Sequence, residues 1–290
     1  MGILKDIAKK YLPIRIVMFL IRLKTWFFIL QDVKGQTFLD GVKLILSSLV
    51  DSVWILVFAE KNHNPFLCFD ALVAVGENRF HVRGRSDDIW HIAPIQGAPV
   101  LNKFREILTE GSVFVDCGAN IGGYAVFAAM LVGPNGKVVV IEMLDETIKV
   151  LQRNLALNDI GNAIVIPRAL GAESGLTLEA TYRPGQYGPA TVVEKGTIQS
   201  RRKSAAVETI TLDEACATLE RIRLIKMDVE GAEYDTLLGA ARTLERTDCL
   251  IFECWPQSPR KDLIFGLLQR AGFSLSPLDE TNYWAYREGR

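Results

Sequence analysis

The chain has 290 residues, enough for one large domain or one domain with an appendage, and a formal net charge of −1. That balance excludes the basic surface of a nucleic-acid-binding domain, so no nucleic acid is expected as a partner. Five cysteines, an odd number without a C-x-x-C pair, exclude a disulfide framework and read as reduced thiols of a cytoplasmic protein.

The chain opens basic. Residues 1–24 carry Lys5, Lys9, Lys10, Arg15, Arg22 and Lys24 against one acid, Asp6. Arg15, Arg22 and Lys24 interrupt the apolar run Ile14-Arg-Ile-Val-Met-Phe-Leu-Ile-Arg-Leu-Lys-Thr-Trp-Phe-Phe-Ile-Leu30, which leaves no clean stretch of about 20 apolar residues to cross a bilayer. No small-residue cleavage site follows, which argues against a signal peptide. A second apolar segment, residues 42–59, contains Lys43 and Asp51 and is short for a span. Two readings stay open. In the first, both segments are helices buried against the main domain or a partner subunit, the latter making a homo-oligomer. In the second, residues 1–60 make a peripheral membrane contact as a basic amphipathic element. The packed reading is preferred, because apolar residues surround the helix between Trp26 and Leu30 more completely than one membrane face requires.

After Asn62-His-Asn-Pro65 the period changes to two. Leu72-Val-Ala-Val75 and Arg79-Phe-His-Val-Arg83 flank Gly76-Glu-Asn78 and predict a β-hairpin. Asp87-Asp88-Ile-Trp-His91 and a loop with Pro94, Gly97 and Pro99 follow, then a helix over residues 100–108. A helical and hairpin appendage is therefore expected over residues 1–95, with the main domain over 96–290.

Within the main domain the stretch Ser112-Val-Phe-Val-Asp-Cys-Gly-Ala-Asn-Ile-Gly-Gly-Tyr124 carries most information. Val113-Phe114-Val115 has the continuous apolar character of a buried parallel strand. Asp116 ends it, Gly118, Asn120 and Gly122 form a turn, and a helical pattern follows. Strand, acid, glycine turn and helix make the first βα unit of a nucleotide-type sheet, whose ligands sit at the carboxyl ends of the strands. The spacing is not the G-x-G-x-x-G of a dinucleotide site, since position 120 is Asn. An acid in the turn repels a pyrophosphate and suits a cation, which favours S-adenosylmethionine over a nicotinamide cofactor. Cys117 reads as a small residue filling a tight space.

Strands and helices alternate from there. Lys137-Val-Val-Val-Ile141 ends in Glu142, a carboxylate placed to accept the hydroxyls of a ribose. Asp145 is expected to cap a helix that runs to Leu157, and Ala163-Ile-Val-Ile166 is the next strand. Leu176-Thr-Leu-Glu-Ala-Thr-Tyr182 is extended. Residues 183–206, rich in Gly, Pro and polar residues, read as a long loop covering the acceptor. The basic triplet Arg201-Arg202-Lys203 near its end is either a solvated charge run or a clasp for an acidic substrate group. Leu224 to Met227 is a strand interrupted by one lysine, and it ends in Asp228-Val-Glu230-Gly231. A helix is expected from near Gly231 to Leu244. Asp228 and Glu230 then share an edge with Asp116, an arrangement suited to an ammonium, a sulfonium or a metal ion. The alternative is that Asp228 or Glu230 only caps the following helix. Cys249-Leu-Ile-Phe-Glu-Cys254 is a further strand with Glu253 near its edge, and Tyr283-Trp-Ala-Tyr286 a last antiparallel one.

Val113-Phe-Val-Asp-Cys-Gly-Ala-Asn-Ile-Gly122, Glu142, Pro167-Arg-Ala-Leu170, Thr209-Ile-Thr-Leu-Asp213 and Ile225-Lys-Met-Asp-Val-Glu-Gly-Ala-Glu233 occur in the order seen in the FkbM family of methyltransferases, which the chain resembles over roughly residues 86–254. The resemblance implies an α/β fold, a seven-stranded Rossmann-like class I methyltransferase sheet. It also implies S-adenosylmethionine as cofactor and O-methylation of a small-molecule or glycan acceptor: a sugar, glycolipid or natural-product hydroxyl. By the same resemblance Asp116, Gly118, Asn120 and Gly122 would surround the methionine part of the cofactor. Glu142 would hold the ribose, residues near Ala169 would flank the adenine, and Asp228 would face the ammonium. Met143 departs from the proline often found after the acid, and the segment before Asn62 lies outside the match.

A methyl sulfonium is already activated, so catalysis requires mainly alignment and removal of the acceptor's proton. Asp228, Glu230 and His91 are the candidate bases. No His-rich or Cys-rich ligand set accompanies them, so no metal is expected. A nicotinamide oxidoreductase is disfavoured by the glycine pattern and the acidic turn. A membrane-associated binding protein with a degenerate cofactor site is the other alternative class.

Overall fold

The computed structural model describes residues 13–58, 64–193 and 202–289. Lys5, Asp6, Lys9 and Lys10 of the basic opening, Ala59, Asn62, His63 and Arg201 lie outside the described residues. The chain divides into two units, residues 1–96 and 97–290.

In the first unit, helices α1 (Ile14–Asp32) and α2 (Phe38–Phe58) are joined by the short strand β1 (Val33–Gly35). β1 pairs antiparallel with β2 (Ala71–Val75), and β2 with β3 (Asn78–Val82). The expected hairpin forms around Gly76, whose positive φ of 59° suits a residue without a side chain. Helix α3 (Asp88–Ile92) follows, after Arg83 grips buried Asp88 through Nε and Nη2 at 2.8 and 2.7 Å.

α1 and α2 meet through a seam that includes polar groups. Arg22 lies 3.3 Å from Asp51 Oδ2, the same oxygen that accepts the Trp26 indole N–H at 2.6 Å, and Ser47, Ser48 and Ser52 are buried alongside. Trp26 and Ile29 are buried, but Phe27 is 59% exposed, and most of the outward surface of α2 is apolar. α2 is also longer than the sequence suggests. At 21 residues it meets the length and hydropathy of a membrane span, because Lys43 and Asp51 find partners inside the unit and do not end the helix.

Helix α4 (Pro94–Ile107) begins in the first unit and is kinked at Gly97, where the second unit starts. Six elements then follow in order: β4 (Val113–Cys117), α5 (Gly123–Val132), β5 (Lys137–Glu142), α6 (Asp145–Leu157), β6 (Ala163–Pro167) and the short β7 (Ala169–Leu170). Asp145 lies in the first turn of α6 and does not cap it; the N-cap is Leu144. Next come β8 (Thr177–Arg183), β9 (Gln186–Val193), β10 (Lys203–Ile210), α7 (Leu212–Ala215), β11 (Ile222–Met227), α8 (Glu233–Leu238) and α9 (Ala241–Glu245). The chain closes with β12 (Thr247–Glu253), α10 (Lys261–Arg270), β13 (Ser274–Pro277) and β14 (Asn282–Tyr286).

The large sheet has seven strands in the order β13-β14-β12-β11-β4-β5-β6. Strands β6, β5, β4, β11 and β12 are parallel, and β14 is antiparallel to β12 and to β13. The strands read as apolar runs because both faces are covered. Alternate residues Val115, Cys117, Val139, Ile141, Ile225, Met227, Leu250 and Phe252 pack with Leu212, Leu237, Leu244, Ile264 and Leu268 of the helices that follow. Phe114 on the other face meets Phe104 of α4, which in turn meets Tyr124 of α5. Burial of each such large side chain contributes about 1.5–3 kcal/mol.

Two expectations change here. The single helix expected up to Leu244 is split into α8 and α9. Gly239 lies at the break, where a Cβ would stand 2.5 Å from the Gly171 carbonyl oxygen. The stretch read as a long loop, residues 183–206, is mostly strand where it is described, and residues 194–201 lie outside the described residues. β9 turns back on β8 around Gly185 and joins a second sheet of order β7-β10-β8-β9. Leu144, Ala169, Ala180, Tyr182, Ala190 and Val207 form its small core.

Candidate active site

Strand β4 leads on to β5 on one side, while its other neighbour, β11, arrives more than a hundred residues later. A crevice opens at such a switch point beyond the carboxyl ends of the strands. Phe114 and Leu224 are register partners, as are Asp116 and Lys226, which places Asp116 and Lys226 side by side on the face that carries Tyr124.

The turns at the two strand tips fix the crevice. After β4, Gly118 and Ala119 donate to the Ile141 carbonyl, and Asp228 N–H donates to the Cys117 carbonyl. A Cβ at Gly118 would stand 1.9 Å from the Asp228 carbonyl oxygen, and the residue's φ is +79°. Gly118→Ala is therefore expected to destabilise the protein by about 2–5 kcal/mol, combining left-handed strain with overpacking. Urea unfolding checks this, and a variant as stable as the wild type would mean that the two tips separate without cost.

Glu142 is placed at the tip of β5, but its carboxylate is engaged by the backbone. Oε2 accepts the Asn120 N–H at 2.9 Å, and Oε1 accepts those of Met143 and Leu144 at 2.9 and 3.0 Å. One acid thus holds the glycine turn against the next strand and keeps Asn120 in the left-handed region, φ 49°. Ala169 is buried in β7, in one cluster with Leu144, and Met143 packs against that cluster.

Neither Asp228 nor Glu230 caps the following helix. The N-cap of α8 is Ala232, and Glu233 Oε1 instead accepts the Val229 and Gly231 N–H groups at 3.3 and 3.1 Å. Asp228 is left to meet Lys226, whose Nζ lies 3.2 Å from Asp228 Oδ2 and 5.4 Å from the Tyr124 ring centre. Glu230 takes a left-handed φ of 51°, and its carbonyl accepts the Thr191 hydroxyl of β9 at 3.2 Å, so the β8–β9 arm reaches the rim of the crevice. Strain of this kind is tolerated where surrounding structure over-determines it, often at functional sites.

The electrostatics centre on Lys226, which is 1% exposed. Burial alone would lower its pKa. Asp228, Tyr124, Asp116 and Glu253 outweigh that and hold the ammonium above its ordinary value. Burial pushes the Asp116 carboxyl up to about 7; Lys226 opposes this, while Asp228 and Glu142 add to it. Burial and the nearby Asp228 raise Glu253 to about 7 against the pull of Lys226, and Glu253 Oε2 accepts the Trp255 indole N–H at 3.2 Å. Burial raises Cys117 well above an ordinary thiol, which makes it an inert filler.

Asp116, Asn120, Glu142 and Asp228 thus lie together at the crevice, with Gly118 and Gly122 in the turn. His91 belongs to the first unit, where its Nε2 lies 3.4 Å from Asp87 Oδ2. Arg202 is a stitch within the arm, its Nη2 donating to the carbonyls of Thr181 and Pro189 at 2.6 and 3.1 Å, and Lys203 opens β10. Sequence reasoning missed Lys226, Glu253 and Tyr124. The available signal was a lysine inside an otherwise apolar strand, two residues before a strand-tip acid. A cation there requires buried carboxylates around it.

The crevice has a specific unmet demand. Asp116 is 1% exposed, and its Oδ2, like Asn120 Oδ1, is buried without a hydrogen-bond partner among the described residues. A ligand carrying positive charge and N–H donors satisfies both.

The methyltransferase FkbM domain profile matches residues 116–275 of this chain. A protein described as methyltransferase sdnD of Sordaria araneosa is 30% identical over 198 residues, covering 58% of this chain and 76% of that protein. The hexuronic acid methyltransferase AglP of Haloferax volcanii is 26% identical over 181 residues, 61% of this chain and 70% of that one. A solved FkbM methyltransferase from Methylobacillus flagellatus overlays with a TM-score of 0.43 at 17% identity, over 69% of this chain and 54% of that one.

Proposed function

Because the chain belongs to the FkbM methyltransferase family, we propose that it carries the methyl group of S-adenosylmethionine to a hydroxyl of a sugar, glycolipid or natural product. The chain is an S-adenosylmethionine-dependent methyltransferase; the acceptor and the residue roles are the proposal. Its main support is the buried Asp116 Oδ2 at the switch point, which has no hydrogen-bond partner among the described residues and stands with Asp228 and Glu142 around the single Lys226 ammonium, an environment suited to a cationic ligand with N–H donors. Similarity to a protein described as a hexuronic acid methyltransferase supports a polyhydroxylated acceptor.

When bound, S-adenosylmethionine supplies a methyl group on a cationic sulfur. Asp116, Asn120 and the turn glycines Gly118 and Gly122 hold its methionine part, and Asp228 faces the ammonium. Glu142 acts on the ribose and, through its three backbone bonds, keeps the turn in the shape that receives it. Ala169 and the neighbouring Met143 flank the adenine. Lys226 fixes Asp228 and keeps the crevice from accumulating uncompensated negative charge. Glu230, on the turn that the β9 arm holds, meets the acceptor. Glu253, at about 7, has the basicity suited to taking the hydroxyl proton near neutral pH.

A labelled-methyl transfer assay against sugars, hexuronic acids and lipid-linked glycans tests this reading. With the active acceptor, kcat should rise as pH passes about 7, because a base works only after losing its proton. Glu253→Gln should lower kcat by about 10²–10⁴-fold and flatten that limb while leaving S-adenosylmethionine affinity unchanged. No transfer to any polyhydroxylated acceptor would remove the substrate class, and an unchanged pH limb would remove Glu253 as the base.

A further inference from the structure

The polarity of helix α2 is inverted relative to that of a surface helix. Between Ile45 and Phe58 every exposed residue is apolar, in a repeat that begins Ile45, Leu46, Leu49, Val50 and continues to the helix end. The residues turned inward over the same span include Ser47, Ser48, Asp51 and Ser52. A helix facing water places these groups the other way round. α1 adds an outward stripe at helical spacing, Ile16, Leu20, Leu23 and Phe27.

Several polar groups of the pair are partnered from within, while Ser52 Oγ is buried without a hydrogen-bond partner among the described residues. Asp51 takes Arg22 and the Trp26 indole, and Ser48 donates to the Ile45 carbonyl at 2.7 Å. Arg15 Nη1 donates to the Val57 carbonyl at the end of α2, at 3.2 Å. Small residues and hydrogen bonds in the seam, with hydrocarbon outside, is how helices associate in lipid. A protein partner would require a polar rim and roughly one hydrogen bond per 100–200 Å², and the exposed arc from Ile45 to Phe58 offers only the Trp54 indole N–H as a side-chain hydrogen-bonding group. Charge favours the same environment. Residues 1–58 hold eight basic and four acidic side chains in a chain of net charge −1, which suits anionic headgroups.

The pair does not cross the bilayer. Cys68 N–H donates to Ser47 Oγ at 2.9 Å and Lys43 Nζ to the Asp70 carbonyl at 2.8 Å, so ten residues after Phe58 the chain is back beside the middle of α2. From Ser47 to Phe58 the helix rises only about 16 Å, half the hydrocarbon thickness of roughly 30 Å.

We propose that α1 and α2 form a monotopic membrane anchor. The pair lies in the plane of one leaflet of an anionic membrane, with its outward apolar surface among the acyl chains and Arg15 and Lys24 at headgroup level. This anchor is independent of the methyl-transfer reading.

Flotation of the full-length protein tests it, using phosphatidylcholine vesicles with and without one quarter phosphatidylglycerol, in 0.1 and 1 M NaCl. The wild type should float with the anionic vesicles and stay bound in 1 M NaCl. Leu49→Glu combined with Val53→Glu should lower the partition coefficient at least tenfold without moving the thermal transition, since both side chains point away from the seam. Leu49→Ser with Val53→Ser should fall between these two, and it preserves the test if the charged pair fails to fold. Three results overturn the proposal: no flotation, flotation abolished by 1 M NaCl and indifferent to the Glu variants, or a lipid-free dimer that the Glu variants dissociate. The last would assign the face to a second copy of the chain.

Discussion

Asp116→Asn should make the ligand-free protein more stable above pH 7 and a poorer binder of S-adenosylmethionine. The carboxyl is buried and pushed up to about 7 from 3.8. For a group whose folded pKa is raised, the stabilising contribution is complete below the unfolded value and is lost as pH rises through the folded one. The wild type should therefore lose stability between about pH 4 and pH 8, and the Asn variant should lack that part of the loss. Three units at 1.36 kcal/mol each give a difference on the order of 4 kcal/mol at pH 8, vanishing near pH 4. Cofactor affinity should fall by roughly 1.5–3 kcal/mol, the worth of a hydrogen bond to a charged group. Thermal melts from pH 4 to 8 with calorimetric titration measure both. An Asn variant that melts below the wild type at every pH would mean that Asp116 acts as a structural partner of Lys226, with no unmet charge.

Lys226→Met should have the opposite sign. The long apolar side chain fills the space but leaves Asp116, Asp228 and Glu253 facing one another without the cation that all three lean on. Removing one partner of a buried charge set costs about 3–5 kcal/mol. The cost should grow as pH rises through 7 and shrink in acid, where Asp116 and Glu253 take up protons and no longer repel. Urea unfolding at pH 5 and pH 8 reads this directly. Equal destabilisation at both values would assign Lys226 a packing role only. The two substitutions act on groups in one network, so their double variant should be non-additive: with Asp116 already neutral, loss of Lys226 strands one carboxylate fewer.

The sequence alone determined the sheet's parallel strands and the acids at their tips. An apolar run ending in Asp116, Glu142 or Asp228 before a glycine turn is a local pattern, and alternation of strand and helix dictates that such tips face one edge. It also carried the antiparallel β14 and the hairpin at Gly76. What it left undecided depended on contacts remote in the chain. Glu142 shows no local sign of a structural task until the fold has its carboxylate also holding three backbone N–H groups. Lys226 looks like an interruption until β4 arrives beside β11 and supplies Asp116 as its neighbour. Gly239, at the break between α8 and α9, sits where a Cβ would stand 2.5 Å from the Gly171 carbonyl oxygen, and the strand β9 follows from its pairing with β8. The N-terminal helices show the limit most plainly. A segment apolar nearly all round does not encode which side turns inward. Only the pairing of Arg22 and Trp26 with Asp51 decided that the serines face the seam and the valines face out, because a buried carboxylate must be satisfied before any apolar face is assigned.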